Sequence, residues 1–304
     1  KDTINLTSHL DHPGQCNDSL SGVISSLASL HKLEQEFSKT NFTYSLLFCP
    51  EIIGSAAYVN FEKKISNIKY ALCPNLLTHN APLAIAKSKC SNSKLDKALH
   101  LSAMETGCKH VVGPWHEYSD SGDEISFDAP GVDIPTTSIS RIGELFKYYH
   151  TSLDTPDNIS PSHFVESINV IFNALKIIEL NYFPQRTFKG NPSLANPKLN
   201  LYLEPLNVSN KKNKKANFKL VNLENNQILE PRNFQEYFLS NIEGDKDLID
   251  LAYETKVSFS YIYEYSNSFL QKKLIRRKLN KTRFKKNTKK IISLTRPHHL
   301  IKNF

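Results

Sequence analysis

Over residues 1–185 short apolar runs alternate with stretches of helical period, and that alternation leaves few architectures open. Ile4-Asn5-Leu6-Thr7-Ser8-His9-Leu10 reads as a strand that ends in polar residues. Leu20, Val23, Ile24, Leu27, Leu30, Leu33 and Phe37 follow at the spacing of one helix face. Tyr44 to Cys49 is a continuous apolar strand stopped by Pro50, and a second helix starts near Gly54. Strands are expected at Tyr70–Cys73 and Ile134–Ile139, with a helix from Leu95 to about Met104. Ser160-Pro161 opens a helix that runs to about Tyr182, a capping Ser before a first-turn Pro. Strands joined through helices pair in parallel, and a parallel sheet is covered on both faces. The expected class is α/β, with a mostly parallel sheet.

The rest of the chain reads differently. Residues 186–232 are rich in Asn, Lys and Pro, including Lys211-Lys212-Asn213-Lys214-Lys215, and read as a linker or irregular segment. Helical patterns return at Phe234–Leu239, Leu248–Tyr253 and Phe259–Leu270, which suits a small winged-helix-like unit over residues 233–280. Residues 281–304 form a basic tail. The net charge of +8 belongs to this end: from Gln271 onward Lys, Arg and His recur with no carboxylate. Five cysteines without C-x-x-C spacing, set in apolar runs, point to reduced thiols and a cytoplasmic setting rather than a disulfide frame. Ten glycines in 304 residues make a Gly-rich phosphate loop a poor expectation.

The densest polar cluster runs His9-Leu10-Asp11-His12-Pro13-Gly14-Gln15-Cys16-Asn17-Asp18-Ser19, between the end of a strand and the start of a helix. In open parallel sheets ligands bind at that end of the strands. Imidazole with carboxylate suits zinc, and an Asp beside a His can fix the ligating tautomer. The competing reading makes Asp18 or Ser19 a helix cap and leaves the histidines as surface residues.

The order of motifs decides between them. His9-x-Asp11 precedes Asn17-Asp18-x-x-Ser21-Gly22, then Pro50-Glu51-Ile52-Ile53-Gly54-Ser55, Asp123-Glu124, Pro130-Gly131-Val132-Asp133-Ile134-Pro135 and Tyr149-His150-Thr151-Ser152-Leu153-Asp154. In this order, over about residues 1–185, the chain resembles the co-catalytic zinc aminopeptidases and their glutamate-carboxypeptidase relatives. It is most similar to an aminopeptidase-like branch with His-Pro before the Asn-Asp-x-x-Ser-Gly.

The resemblance implies a zinc-dependent hydrolase for a peptide or aminoacyl substrate, with one or two zinc ions. Asp18 would bridge metals, with His9 or His12 on one side and His150 on the other. Glu51 would be the general base or a ligand, Tyr149 would donate to the developing oxyanion, and Asp11 would orient a ligating His. Asp123, Glu124 and Arg141 stand as substrate-binding candidates. Two departures matter. The related peptidases carry a Glu-Glu pair where Glu51 stands alone, and an Asp ligand at the end of the next strand, where Thr78-His79-Asn80 aligns. His79 would then be the ligand, or one metal site is lost.

Both ends look cut. Lys1 falls immediately before the first metal-bearing strand, so the peptidase-like domain is expected to be N-terminally incomplete. Arg296-Pro297-His298-His299-Leu300-Ile301-Lys302-Asn303 resembles the lead-in to the first membrane helix of polyprenyl-group transferases. With the basic tail, this places residues 271–304 at the inner face of a membrane. Two rival readings stand: a degenerate peptidase fold that only binds a partner, and a nucleic-acid-binding helix-turn-helix protein. Against the latter, the Phe259–Leu270 helix is Tyr-rich and carries no Lys or Arg, where DNA readers place cations.

Overall fold

A computed structural model describes residues 1–118, 122–205 and 220–278. The Lys211–Lys215 run and residues 281–304, with their Arg296-Pro297 sequence, lie outside the described residues. The first part of the chain runs β1 (Thr3–His9), α1 (Leu20–Glu36), β2 (Thr43–Cys49), α2 (Ile53–Phe61) and β3 (Ile68–Pro74). It continues through β4 (Leu83–Ala86), α3 (Lys94–Thr106), β5 (His110–Gly113), α4 (Glu124–Phe127), β6 (Thr136–Arg141) and α5 (Pro161–Leu180).

Six strands form one sheet in the order β2-β1-β3-β6-β4-β5. Every neighbouring pair is parallel except β4 against β6. β4 and β5 escape a periodicity reading because each is only four residues long. From β1 the chain crosses to β2 on one side and then returns to β3 on the other. The carboxyl end of β1 is therefore a switch point, the crevice where ligands bind in such sheets. α1, α3 and α5 pack on one face over Leu6, Leu72, Ile85 and Ile139. α2 and α4 contact each other beside a smaller cluster of Ile68, Ala71, Phe127 and Ile134.

α1 buries its small residues together with Val23 and Leu33, and leaves part of its apolar set outside. Ser21, Gly22, Ser25, Ser26 and Ser29 are buried, whereas Leu20, Ile24 and Leu27 are 40–48% exposed. The reason is distance. A Cβ on Gly22 would run into the carbonyl oxygen of Pro74, and Ser21 Oγ accepts from Leu77 N–H at 3.1 Å. Only small residues let this helix approach the end of β3 so closely.

The C-terminal part comprises β7 (Phe183–Arg186), α6 (Pro231–Ser240), α7 (Leu248–Thr255), α8 (Phe259–Gln271) and β8 (Ile275–Lys278), with β7 and β8 antiparallel. These helices, expected as a separate unit, share the core of the large sheet: one hydrophobic cluster runs from Ile4 to Ile275. Lys94 of α3 pairs with Asp247 at 2.8 Å and Asp250 at 2.6 Å, and Lys97 with Asp250 at 2.7 Å. Glu105, also on α3, caps α8 by accepting from Phe259 N–H and Ser260 Oγ. Leu194, Leu201 and Leu220 bury themselves in the same cluster, so these described parts of the irregular segment are laid on the core. Among the described residues no helix is long and apolar enough to cross a membrane.

Candidate metal centre

β1 ends in His9, with polar side chains carried past the sheet edge, and the loop to α1 folds back over the strand end. Asp154 holds that loop. Its Oδ1 accepts from Asn17 N–H at 2.8 Å and its Oδ2 from Asp18 N–H at 3.0 Å, while its carbonyl accepts from Cys16 N–H at 2.9 Å. Ser19 Oγ donates to the His9 carbonyl. The Tyr149–Asp154 motif is thereby fastened to the His9–Asp18 loop, which brings residues far apart in sequence to one place.

Three imidazoles surround one buried carboxylate. His9 Nε2 lies 3.1 Å from Asp18 Oδ1, His12 Nδ1 lies 3.1 Å from Oδ2, and His150 Nε2 lies 3.2 Å from Oδ2. The rings meet edge-on, with His9–His12 centroids 4.8 Å apart and His12–His150 centroids 5.1 Å apart. Ligand atoms of His9, His12 and Asp18 all lie within 4.8 Å of one another. His9 Nε2, His12 Nδ1 and Asp18 Oδ2 are buried without a hydrogen-bond partner among the described residues. Native proteins pair nearly all such atoms, so a converging unpaired set is what a cation would satisfy.

The tautomer strengthens this. Asp11 Oδ1 lies 3.1 Å from His9 Nδ1, and an ionised carboxylate only accepts, so His9 carries its proton on Nδ1. Nε2 then presents a lone pair to Asp18, and two acceptors face each other unless a proton or metal lies between them. Burial disfavours charge on both groups, but their mutual attraction outweighs it: the His9 pKa is raised and the Asp18 pKa lowered. Two imidazoles plus a carboxylate, a third imidazole beside them and a carboxylate behind one ring are a zinc-type donor set.

Glu51 stands at the end of β2, half-buried. Its N–H donates to Asp11 Oδ2 at 3.0 Å, so one carboxylate holds both His9 and the Glu51 backbone. Burial raises the Glu51 pKa, and the nearby Asp123 and Asp18 charges add to it while His9 opposes them. Tyr149 stacks on His150 with ring centroids 3.8 Å apart, and His150 itself adopts φ 54°.

Four expected site residues are engaged elsewhere. His79 Nε2 donates to the Ile142 carbonyl at 3.0 Å, which leaves Nδ1 to accept from Asn17 Nδ2 at 3.1 Å. Both nitrogens are used, the ring packs on Phe146, and burial lowers its pKa. His79 is therefore a structural histidine rather than a ligand. β3 ends at Pro74, four residues before Thr78, and the residue at its end is Asn75, whose Nδ2 faces Asp18 Oδ1 at 3.4 Å. A neutral amide stands where a carboxylate ligand was expected.

Arg141 is 1% exposed and does not await a substrate. Its guanidinium donates to the carbonyls of Leu77, Ala81 and His163, to Ser167 Oγ, and to Glu166 at 2.6 Å. It ties the segment after β3 to α5. Asp123 and Glu124 are also buried, at 0% and 1% exposure, which removes them from direct substrate contact. Glu124 lies 2.6 Å from His116 Nδ1, and Asp123 binds the turn after Glu51.

Residues 1–181 match the profile of a family described as a domain of unknown function, DUF4910. The chain belongs to this family. Every residue of the cluster lies within the DUF4910 match, and α6–α8 lie beyond it. A curated protein of Clostridium acetobutylicum, named for polysaccharide biosynthesis and an aminopeptidase-like domain, is 27% identical over 284 residues. That alignment covers 91% of this chain, which spans only 59% of the relative's length. A crystal structure described as a peptidase from Clostridium acetobutylicum superimposes with a TM-score of 0.70 at 24% identity, over 91% of this chain and 58% of that one. A zinc aminopeptidase from Bacillus subtilis matches 57% of this chain and 45% of its own, at 18% identity and a TM-score of 0.47. The fold of this DUF4910 chain is aminopeptidase-like, with C-terminal helices included in the clostridial match.

Proposed function

We propose that this chain carries the catalytic centre of a zinc-dependent aminopeptidase-like hydrolase acting on the amide bond of a peptide or aminoacyl substrate. The observation that carries this reading is the convergence of His9, His12 and His150 on the two oxygens of Asp18, with Glu51 at the adjoining strand end. His9, His12, Asp18 and His150 would hold the metal. When bound, zinc supplies Lewis acidity toward a carbonyl oxygen and lowers the pKa of a water. Asp11 keeps the proton of His9 on Nδ1, which leaves Nε2 free to ligate. Glu51, with its pKa raised by burial, would take a proton from the attacking water. Tyr149, stacked on His150, would donate to the developing oxyanion.

A single zinc fits better than two. Asn75 brings no charge to the strand end, and Asp18 is the one carboxylate in the His9–His12–Asp18 group. The test is metal analysis of the purified chain, together with hydrolysis of a panel of amino-acid p-nitroanilides. About one zinc per chain is expected, with activity lost to a chelator and restored by zinc. A chain that retains no zinc and shows no hydrolysis is the binding-only fold instead.

We also propose an anionic lipid surface as a partner of the C-terminal end. Residues 1–271 hold 25 Lys and Arg against 30 Asp and Glu, whereas the remainder holds 13 and no carboxylate. Lys272, Lys273, Arg276, Arg277 and Lys278 are exposed at the β8 end of the fold. Each cation near anionic lipid contributes roughly 1 kcal/mol. The full chain is expected to co-sediment with vesicles containing phosphatidylserine at low salt, and to be released by high salt or by neutral lipid. No sedimentation at low salt overturns this partner.

A further inference from the structure

Asp123 is fully buried and belongs neither to the metal cluster nor to a surface that a substrate can touch. Its Oδ1 accepts from Ile52 N–H at 2.9 Å and from Ser55 Oγ at 2.6 Å. Both bonds land on the segment that directly follows Glu51. There the backbone makes an unusual reversal. Ile52 has φ 58° and ψ −54°, and Ile53 N–H donates to the Glu51 carbonyl at 2.5 Å. This is a three-residue γ-turn of the positive-φ kind, which is rare and strained. A β-branched residue at its centre makes the strain worse, because its side chain crowds the backbone in that region.

Such a conformation persists only where the surroundings over-determine it. Here they do so from both sides. Asp11 Oδ2 accepts from Glu51 N–H at 3.0 Å, and Asp123 Oδ1 takes the next N–H along the chain. Gly122 brings the 122–124 segment against the same turn: a Cβ there would stand 3.1 Å from Glu51 Oε1 and from the Ile52 side chain. Gly54 N–H closes the turn onto the Pro50 carbonyl at 2.9 Å.

We propose that Asp123 is a positioning residue for Glu51: by accepting from Ile52 N–H and Ser55 Oγ it holds the strained turn that fixes where the Glu51 side chain leaves the backbone. Without it Ile52 relaxes to negative φ, the peptide plane between residues 51 and 52 rotates, and the Glu51 carboxylate moves with it. The proposal rests on the reading of Glu51 as the general base. It differs from a plain helix-capping role, which affects stability but not turnover in the folded protein.

The test compares Asp123→Ala with Asp123→Asn in the full chain supplied with zinc. The Asn side chain keeps an oxygen that accepts from both donors, and its amide replaces Oδ2, which has no partner among the described residues. Hydrogen exchange of peptides covering residues 50–55 is read first, since it requires no activity. Asp123→Ala is expected to exchange faster there, Asp123→Asn like the parent, with zinc content equal in all three. On an amino-acid p-nitroanilide, Asp123→Ala is expected to lower kcat about a hundredfold, the scale of a misplaced catalytic group, with KM little changed. Asp123→Asn should restore kcat to within a few-fold of the parent. If Asp123→Ala does not fold, Ser55→Ala removes one donor and should give the same pattern in milder form. Parent-like exchange in Asp123→Ala (or, where it fails to fold, in Ser55→Ala) overturns the proposal, as does an Asp123→Asn variant as impaired as Asp123→Ala, because charge would then be what matters. If exchange follows the expected pattern and even the parent hydrolyses nothing, the clamp on the turn stands and the hydrolase reading falls.

Discussion

Asp18→Ala is expected to abolish metal retention and hydrolysis together. Its two oxygens are the only anionic atoms among His9, His12 and Asp18, and each lies 3.1 Å from an imidazole nitrogen. With the carboxylate gone, His9, His12 and His150 remain as neutral donors with no anion to balance a dication. Loss of supporting groups outside the ligand shell already costs about 10–100-fold in affinity, so loss of the central ligand should exceed that range. The measurement is zinc per chain after dialysis against a weak chelator, with the zinc-dependent rise in melting temperature as a second readout. A ligand that binds only the folded state raises that temperature by mass action, and the rise should vanish in the variant. Undiminished zinc in Asp18→Ala places the metal elsewhere and removes the centre described here.

How much of this centre was legible in the sequence depended on whether a residue's role is local. The strand-end placement of His9 and Glu51 follows from periodicity, as does that of Asp18 at the start of α1, because side chains at an element's terminus need no distant partner to be recognised. His150 needed a resemblance, since nothing local says that residue 150 returns to β1. Asp154 was quoted within the same motif without a role. Its bonds to Asn17 and Asp18 N–H show that it joins the motif to the loop, and its burial beside a ligand could not be read from one dimension.

The misplacements have physical causes. His79 was set at the end of β3 by the resemblance, which aligned Thr78-His79-Asn80 with a carboxylate ligand there. In fact Leu76 takes φ 48° and the chain leaves the sheet after Pro74, so Asn75 stands at the edge. Arg141 was expected to bind substrate. It is buried because three carbonyls, a hydroxyl and Glu166 converge on it, a set drawn from segments up to 64 residues away. α1 buries Val23 and Leu33 of its expected face but exposes Leu20, Ile24 and Leu27, since a run of Ser and Gly permits a close approach that leucines would block. The C-terminal helices read correctly as helices, but their attachment rests on Lys94, Lys97 and Glu105 of α3, whose partners lie about 150 residues on.

Glu51→Gln is expected to remove turnover while leaving bound zinc in place. The substitution keeps the size of the side chain, and the backbone bonds to Asp11 and from Ile53 do not involve it. What it removes is the capacity to take a proton. Loss of a positioned general base costs typically about 10²–10⁴-fold, and the fall should appear in kcat rather than in KM, because a carboxamide of equal shape binds the ground state equally well. Metal content separates the two roles the residue can play. Glu51 lies outside the group formed by His9, His12 and Asp18. Zinc that stays while kcat collapses assigns Glu51 to proton transfer. Zinc that leaves with the activity makes it a fifth ligand, and the base must be sought elsewhere. Full kcat in the variant means that water is activated without Glu51, and the part given to the turn at Ile52 then loses its catalytic meaning.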